Sequence, residues 1–347
     1  MPIVPNAYER LALRSNQAPG VVLDYLGALG LRTVSAALRL GVFEALAGGA
    51  RSTAEVARAI GADEGGTESL LLALDGLGYV TRRRERYRNS PLTAKWLLRS
   101  SPVSLVAAAR FFEAAAFELW QGLEDSVRTG RPREPFYKRL ERLPNLSRDF
   151  QAWLEVLAEL AGDEIVSKVA LSEHARRLLD VGGSHALHSI RFCRRYAQLS
   201  ATVVDLPGPL ETARTNVAEA GLEERITIEE ADYLRDRLGS GYDVVLLFNI
   251  LHAHHDDVNR ALIERLSASI NPGGLIVVWD QMSDLVVGSM AAATVGLFAL
   301  GYHHLMGGRV YRSDDIERWL SVAGFRGIRR TGLLRAPGSA LILATRG

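Results

Sequence analysis

The chain has 347 residues, of which 48% are hydrophobic and 23% charged, so it is long enough for two or three domains with substantial cores. Its net charge of +1 excludes a strong overall field that would draw it to nucleic acid or membranes. The single cysteine, Cys193, excludes an intramolecular disulfide, which favours a reducing cytoplasm. The N-terminal stretch MPIVPNAYERLALRS lacks a signal peptide's apolar core, and no run reaches the roughly 18 apolar residues of a membrane span.

The N-terminal part of the chain predicts helices followed by a short hairpin. Apolar residues recur at helical spacing from 21 to 47, and Ser52 with Glu55 has the pattern of a capping box that starts a second helix. A third helix is predicted from about Glu68, and the segment YVTRRRERYR, residues 79–88, then predicts a hairpin. This order of elements is typical of a winged helix.

The basic hairpin has two interpretations. Its adjacent arginines, residues 82–84, can be a solvated tip or a DNA-binding wing. In a nearly neutral chain they favour the solvated tip, so no nucleic-acid partner is expected. The alternative is a regulator that binds DNA through this hairpin and senses a metabolite with its C-terminal half.

Residues from about 102 to 169 predict further helices that carry aromatic side chains. Such side chains either pack helices together or line a pocket for a flat apolar ligand. Together with residues of later segments, the pocket candidates are Phe111, Phe112, Trp120, Trp153, Met282, Met290, Phe298 and Met306. The expected division is a helical domain at 1–100, connecting helices that contribute to the pocket at 101–170, and a ligand-binding domain at 171–347.

From about Arg177, short apolar strands alternate with helices. In chain order the strands are RRLLDVGG, SATVVDLPG, ITIEEADY, YDVVLLFNI and GGLIVVWDQ. This alternation predicts a doubly wound parallel sheet. The final segment predicts two strands joined at Pro337 and Gly338, and such a hairpin adds an antiparallel strand.

Several polar or small residues fall where these predicted strands end. Ligands bind at the carboxyl ends of the strands in an open parallel sheet. The residues at these ends are Asp180, Gly182, Gly183, Asp205, Asp232 and His252. Glycines let backbone and ligand approach closely, and Asp205 after the second strand can accept both hydroxyls of a ribose, with a structural cap as the alternative.

The first loop fits a nucleoside without phosphates better than a dinucleotide. A nicotinamide dinucleotide normally requires G-x-G-x-x-G, whereas this loop reads GGSHALHS. S-adenosylmethionine has no pyrophosphate and demands less of the loop.

The segment FNILHAHHDDVN, residues 248–259, gathers histidines and aspartates after the fourth strand. It can be a metal site, a catalytic base with its neighbours, or a polar loop. His252, His254 and His255 crowd one short turn and no further ligand is evident, so no metal is expected.

These features together resemble the class I S-adenosylmethionine-dependent O-methyltransferases of the caffeic-acid, acetylserotonin and hydroxyneurosporene type. The C-terminal motifs that carry the resemblance are LLDVGGS, VVDLPGPLETAR, EADYL, YDVVLLFNILH, NPGGLIVVWD and GGRVYRSDDIERWLSVAGF. The N-terminal ones are LGVFEALAGG, RSTAEVA and LLLALDGLGYV. The resemblance implies an α/β fold: a Rossmann-like methyltransferase sheet with an antiparallel last strand, preceded by a mostly helical winged-helix dimerisation domain.

The resemblance also implies a cofactor, a product and a set of site residues. S-adenosylmethionine would be the cofactor and S-adenosylhomocysteine the product. His252 would be the general base and Asp280 the acid that orients it, which leaves His254 and His255 as loop residues. The partners would be a small-molecule acceptor and a second copy of the chain. The expected cofactor-binding residues are Asp180, Gly182, Gly183, Asp205, Leu206, Asp232, Tyr233, Phe248 and Asn249.

The chain departs from the family pattern at three places, one of which is His252-Ala253-His254, where the family has His-Asp-Trp. Ser184 and Ala186 stand where the family loop has glycines, and His185 and His188 are additions. We expect the Ala186 methyl group to lie where backbone and cofactor approach. Val310 replaces a second acidic residue near the base, which leaves Asp280 as its one carboxylate partner.

The leading hypothesis is methyl transfer to a hydroxyl of a small aromatic or polyketide-like secondary metabolite. A histidine titrates near neutral pH and can take the proton of a phenol as the methyl group arrives. The alternative keeps the cofactor but uses its sulfonium as a fixed charge for a pericyclic, hydroxylation or decarboxylation reaction.

Overall fold

The computed structural model describes residues 6–15, 17 and 19–347. The chain divides into two compact units, Met1–Leu119 and Trp120–Gly347. The sequence-based division at residues 100 and 170 stays a prediction. The N-terminal stretch judged not to be a signal peptide lies partly outside the described residues.

The first unit is mainly helical and carries a small antiparallel sheet. Its strands are β1 (Arg51–Ser52), β2 (Val80–Arg83) and β3 (Arg86–Asn89), in the spatial order β1-β3-β2. The predicted order of helices followed by a hairpin is confirmed. The helices are α1 (Ala7–Arg14), α2 (Val21–Leu40), α3 (Val42–Ala45), α4 (Thr53–Ile60), α5 (Glu64–Gly76), α6 (Pro91–Trp96) and α7 (Val106–Ala114), followed by a π-helical turn at Ala115–Leu119.

Local chemistry sets the ends of these helices. The capping box of α4 is confirmed: Ser52 Oγ accepts from the Glu55 amide at 3.3 Å, and the Glu55 carboxylate accepts from the Ser52 amide at 2.6 Å. The predicted continuous helix over 21–47 is wrong, because Gly41 adopts φ +79° and separates α2 from α3.

The third helix also begins earlier than predicted. Helix α5 starts at Glu64 rather than near Glu68. Asp63 caps it, since its carboxylate accepts a hydrogen bond from the Gly66 amide at 2.7 Å. The periodicity of apolar residues had missed this polar first turn.

Helix α2 is long and apolar enough to cross a membrane, with a mean hydropathy of 1.4. The prediction that no apolar run is long enough to span a membrane is therefore wrong for Val21–Leu40. A helix of a folded domain passes the same test, and the C-terminal half of α2 packs into the core of the first unit. Val34 and Ala37 are buried there beside Phe43 and Leu74.

Val80 and Tyr87 anchor the basic hairpin in the core, and its arginines are solvated. Its turn residues Arg84 and Glu85 have φ of +47° and +62°, as two-residue hairpin turns require. Tyr87 is 1% exposed in the core, whereas the arginines at 82–84 are exposed.

The second unit is a seven-stranded sheet with helices on both faces. The spatial order is β6-β5-β4-β7-β8-β10-β9, and β10 runs antiparallel to both β8 and β9, which confirms the predicted fold class. The strands are β4 (Arg177–Val181), β5 (Ser200–Asp205), β6 (Ile226–Glu230), β7 (Tyr242–Phe248), β8 (Ile270–Gln281), β9 (Phe325–Gly332) and β10 (Ser339–Arg346). The helices are α8 (Leu123–Thr129), α9 (Phe136–Arg142), α10 (Pro144–Lys168), α11 (Leu187–Arg195), α12 (Pro207–Ala220), α13 (Asp256–Ser269), α14 (Ser289–Met306) and α15 (Ser313–Val322), with a 3₁₀ turn at Leu251–Ala253.

Side chains of the central strands alternate between two cores. In β7, Val244, Leu246 and Phe248 pack into one core, and Val245 and Leu247 pack into the other. A parallel sheet buried on both faces requires such continuous apolar strands. Because β4 to β8 run parallel, the polar residues that follow these strands lie at one edge of the sheet.

Candidate active site

The loop after β4 needs its two glycines because the chain is crowded there. Gly182 has φ +65°, and a Cβ atom on it would lie 2.4 Å from Cδ1 of Ile250. A Cβ atom on Gly183 would lie 2.7 Å from both Cγ of Asp180 and Cγ1 of Val203. Any other residue would displace the loop from the end of β5.

Asp205, the last residue of β5, holds this loop through its carboxylate. Oδ2 accepts from the Ser184 amide at 2.9 Å, and Oδ1 accepts from the Leu206 amide at 2.7 Å. Burial raises the pKa of Asp205 to about 6, against the two hydrogen bonds that lower it, so the group is ionised at neutral pH. A carboxylate has about four acceptor positions. Asp205 therefore retains capacity for the two hydroxyls of a ribose, and the glycine loop and this carboxylate fit a nucleoside cofactor.

The residues that depart from the family's glycine pattern face the protein interior. Ala186 has φ +60° and is 0% exposed, with its methyl group in the core that also contains Phe248 and Trp279. The expectation that this methyl group lies against the cofactor is therefore wrong. Ser184, at φ +44°, is also buried, and its hydroxyl donates to Gln151 of α10.

The two added histidines are part of the same buried layer. His185 and His188 are each 6% exposed, and their rings lie 5.7 Å apart. His188 meets the rings of Phe248 and Trp279 edge to face, at 5.0 and 5.5 Å. Burial lowers the pKa of both histidines, so both are neutral at physiological pH.

Tyr233 lies beside the glycine loop and is held by a residue that sequence reasoning assigned to a loop. Its Cε1 is 3.6 Å from the position of a Cβ atom on Gly182. Its hydroxyl makes a 2.8 Å hydrogen bond with Nε2 of His254. Burial lowers the pKa of His254 to about 4, so this hydrogen bond involves a neutral imidazole. The signal in the sequence was that His254 stands two residues after His252, close to the end of strand β7.

His252 lies in the 3₁₀ turn after β7 and is paired with Asp280 of β8. Nδ1 of His252 is 2.7 Å from Oδ1 of Asp280, and the His252 amide donates to Oδ2 at 3.1 Å. The two residues are 7% and 2% exposed. Because an ionised carboxylate only accepts hydrogen bonds, Nδ1 carries the proton and Nε2 is the nitrogen available as a base.

Gly308, which follows helix α14, closes against the backbone of His252. A Cβ atom on Gly308 would lie 1.8 Å from the carbonyl oxygen of His252. The next residue, Arg309, donates its amide to the same oxygen at 3.0 Å. Val310 follows, where the family pattern has an acid. The position of the His252 backbone therefore depends on a glycine that is distant in sequence.

Tyr302 of α14 is a site residue that sequence reasoning missed. Its ring stacks on the imidazole of His252 with 3.9 Å between centroids and 13° between planes. Its hydroxyl donates to Oε1 of Gln281 at 2.6 Å. Helix α14 is apolar on nearly every face, so its sequence did not show which face meets the sheet.

Three predicted cofactor residues have structural contacts of their own. Asp180 is 2% exposed and accepts from Ser189 Oγ at 2.7 Å, and burial raises its pKa to about 6. Phe248 packs edge to face against Trp279 in the core. Asn249 has φ +56°, and its side-chain oxygen accepts a hydrogen bond from Nε2 of Gln281 at 3.5 Å.

The remaining predicted cofactor residues lie on loops near Asp205. Leu206 follows Asp205 and is 36% exposed. Asp232 begins the turn after β6, where its carboxylate accepts from the Leu234 amide at 2.9 Å. Both keep accessible surface at the carboxyl edge of the sheet.

The predicted acceptor-pocket residues are divided between the two units. Phe111 and Phe112 belong to the first unit, where Phe112 borders an apolar cavity of about 290 Å³ together with Leu23 and Leu105. Met282 is 0% exposed in the core of the second unit, so its assignment to a pocket is wrong.

The other candidates belong to the second unit, as His252 does. The ring of Phe298 lies 6.2 Å from that of Tyr302, and Trp120 approaches Gly301 of the same helix. Met290 is 84% exposed, and Trp153 and Met306 are half-buried. Over residues 6–15, 17 and 19–347, no cluster of three or more His, Cys, Asp and Glu side chains could hold a metal ion.

The chain is similar to known proteins over most of its length. Residues 26–100 match the O-methyltransferase dimerisation domain family, and residues 120–326 match the O-methyltransferase domain family. The chain is 31% identical over 318 residues to 3-hydroxy-5-methyl-1-naphthoate 3-O-methyltransferase of Streptomyces sahachiroi, with 90% of each chain covered. It is 28% identical over 323 residues to the tetracenomycin polyketide synthesis 8-O-methyl transferase TcmO of Streptomyces glaucescens, with 91% of this chain and 94% of that one covered.

A solved structure extends the likeness to three dimensions. Human N-acetylserotonin methyltransferase in complex with SAM aligns over 100% of both chains, with a TM-score of 0.81 and 25% identity. The chain belongs to the O-methyltransferase family. It is an S-adenosylmethionine-dependent O-methyltransferase, which replaces the hypothesis of a DNA-binding regulator.

Proposed function

We propose that this enzyme methylates a phenolic hydroxyl of a fused-ring, polyketide-like metabolite, with His252 as the general base. The observation that carries the proposal is the buried His252–Asp280 pair, with 2.7 Å between Nδ1 and Oδ1. The pair lies close to the glycine loop, because Ile250, two residues before His252, packs against Gly182. The acceptor class is supported by the two Streptomyces relatives, whose names specify a hydroxynaphthoate and a polyketide.

In this proposal Gly182, Gly183, Asp205 and Tyr233 hold the cofactor. When bound, its sulfonium supplies an activated methyl group. The two glycines allow close approach, Asp205 accepts from the ribose hydroxyls, and the Tyr233 ring borders the loop. Asp180 supports this arrangement, because its side chain packs against Gly183 and accepts a hydrogen bond from Ser189 Oγ.

His252 moves the proton of the acceptor. A phenol has a pKa near 10 and is mostly protonated at neutral pH. Nε2 of His252 takes this proton as the acceptor oxygen forms its new bond, and Asp280 stabilises the resulting imidazolium through Nδ1. Both residues are almost fully buried, so water competes little for either group.

We further propose that the enzyme acts as a cytoplasmic homodimer. The match of residues 26–100 to a dimerisation domain supports the dimer, as do apolar side chains exposed on α2. Val21, Tyr25 and Leu29 are 71%, 63% and 47% exposed. A second chain that covered them would remove this apolar surface from water.

The test is a stoichiometric assay with hydroxynaphthoates and polycyclic phenols, including 3-hydroxy-5-methyl-1-naphthoate. We expect one S-adenosylhomocysteine per methylated product, and a kcat that falls by about 10² to 10⁴ in His252→Ala. Product without S-adenosylhomocysteine would show a non-methylating reaction. Unaltered turnover in His252→Ala would remove the base role.

A further inference from the structure

Tyr302 and Asp280 contact the imidazole of His252 in two different directions. Asp280 meets Nδ1 in the plane of the ring at 2.7 Å, and Tyr302 covers one face at 3.9 Å between centroids. The two rings are inclined by only 13°, so this is a parallel stack rather than an edge contact. The remaining nitrogen, Nε2, is left for an acceptor.

Both contacts are set by the end of strand β8. Asp280 holds the imidazole directly, and the next residue, Gln281, accepts the Tyr302 hydroxyl at 2.6 Å. The Gln281 amide also donates to Oδ1 of Asp280 at 2.8 Å. One strand end therefore fixes the in-plane partner and the stacked partner of the same ring.

We propose that Tyr302 is a positioning residue for the general base: its stacked ring fixes the plane of His252 and stabilises the imidazolium that forms during catalysis. The inference rests on the proposed base role of His252. An electron-rich ring attracts a cation placed over its face, and this attraction grows when both groups are shielded from water. The stack adds to the stabilisation of the imidazolium that Asp280 supplies through Nδ1.

Besides Tyr302, two titratable side chains beside His252, those of Asp280 and His254, affect the stability of its imidazolium. Asp280 from β8 favours the imidazolium, and His254 from the same turn opposes it when charged. Burial lowers the pKa of His254 to about 4, so His254 is neutral at the pH of catalysis. Burial also raises the pKa of Tyr302 well above 10, which keeps its phenol neutral and hydrogen-bonded to Gln281.

The primary test is an NMR titration of the histidine side chains, which needs no acceptor. The protein has eight histidines, and His252→Gln identifies the signal of His252. In Tyr302→Leu, which keeps an apolar cover, loss of the stack should lower the titration midpoint of His252 by about half to one pH unit. Its ring C–H signals should also lose the upfield shift that a stacked phenol causes. Tyr302→Phe keeps the ring and should retain most of both effects.

Kinetics on a hydroxynaphthoate acceptor connect this geometry to the reaction. The base must be neutral to accept a proton, so the acidic limb of the kcat profile should move to lower pH in Tyr302→Leu. At the plateau kcat should fall about tenfold, the order expected for about 1.4 kcal/mol. Leu297→Ala, on the same helix and 55% exposed, is the matched control for damage to α14.

The outcomes distinguish failure of the positioning role from failure of the base role. An unchanged midpoint and pH profile in Tyr302→Leu, with only a raised KM for the acceptor, would overturn the positioning role and leave Tyr302 as a wall of the acceptor site. Full turnover in His252→Gln would instead overturn the base role itself. A lowered midpoint together with a lower kcat supports both.

Discussion

The proposed cofactor loop after β4 (182–186) and the proposed base turn after β7 (249–254) are built by different means. The shape of the loop is set mainly by its backbone, since Gly182 and Gly183 have no room for a Cβ atom. The Asp205 carboxylate accepts from the backbone amides of Ser184 and Leu206. In the base turn, side chains have this role, since Asp280 and Tyr302 fix one imidazole. The loop therefore tolerates Ser184 and Ala186 where their side chains face inward. The base turn should tolerate little change in its partners.

Asp280→Asn should give the largest effect on turnover. Asparagine keeps the shape but cannot stabilise an imidazolium, and it can select the wrong tautomer of His252. We expect kcat to fall by about 10² to 10⁴. Asp257→Asn removes the same charge from an exposed position just beyond the turn and is the control. Equal, small losses in the two variants would contradict the side-chain account of the base.

Gly308→Ala should give the next largest effect. Its Cβ atom would lie 1.8 Å from the His252 carbonyl oxygen, so the backbone of the base must move. A displacement of about 1 Å can cost about 10² in rate, and we expect a loss of that order in kcat. Gly332→Ala, whose Cβ atom would meet nothing within 4 Å, should keep normal kinetics. A fully active Gly308→Ala would show that the base is not held by this contact.

Cofactor affinity should depend on pH through Asp205. Burial raises the pKa of Asp205 to about 6, so its carboxylate becomes protonated as the pH falls through that value. A protonated carboxyl loses acceptor capacity, and S-adenosylhomocysteine affinity should weaken by up to about tenfold per pH unit below 6. Calorimetry between pH 5 and 8 measures this, with Asp205→Asn as a weak binder whose affinity is independent of pH. A flat profile in the wild type would contradict ribose binding by Asp205.

Ala186→Gly should give the smallest effect. Glycine relieves about 1–2 kcal/mol of left-handed strain but loses a buried methyl group and adds freedom to the unfolded chain, so the free energy of unfolding should change by less than about 1 kcal/mol. Affinity for S-adenosylhomocysteine should stay within about twofold, because the methyl group faces the core. Tenfold tighter binding would show that this methyl group does obstruct the cofactor.

The sequence allowed prediction of features that lie on strands or directly after them. Alternating strands and helices gave the sheet, and Asp205 and His252 fall at strand ends, where residue position alone places them at the ligand edge. The antiparallel β10 followed from the hairpin at Pro337 and Gly338. These inferences depend on chain order and periodicity, which a sequence displays.

Contacts that depend on helix rotation or side-chain direction were not predictable. Tyr302 reaches His252 only because α14 presents one particular face, and an almost wholly apolar helix has no stripe that reveals it. Ala186 looked exposed to the cofactor because a loop sequence does not show which way a Cβ atom points. Met282 looked like a pocket residue because an apolar side chain suits a core equally well.

The measurement that tests the central claim most directly is calorimetric binding of S-adenosylhomocysteine to the wild type, Asp205→Ala and His252→Ala, alongside their single-turnover rates. The account predicts that Asp205→Ala loses about 10²-fold in affinity, as for a lost charged hydrogen-bond acceptor. It predicts that His252→Ala binds the ligand like the wild type but loses methyl transfer by about 10² to 10⁴. Equal loss of binding in both variants, or normal transfer by His252→Ala, would contradict the separation of a cofactor loop from a base turn.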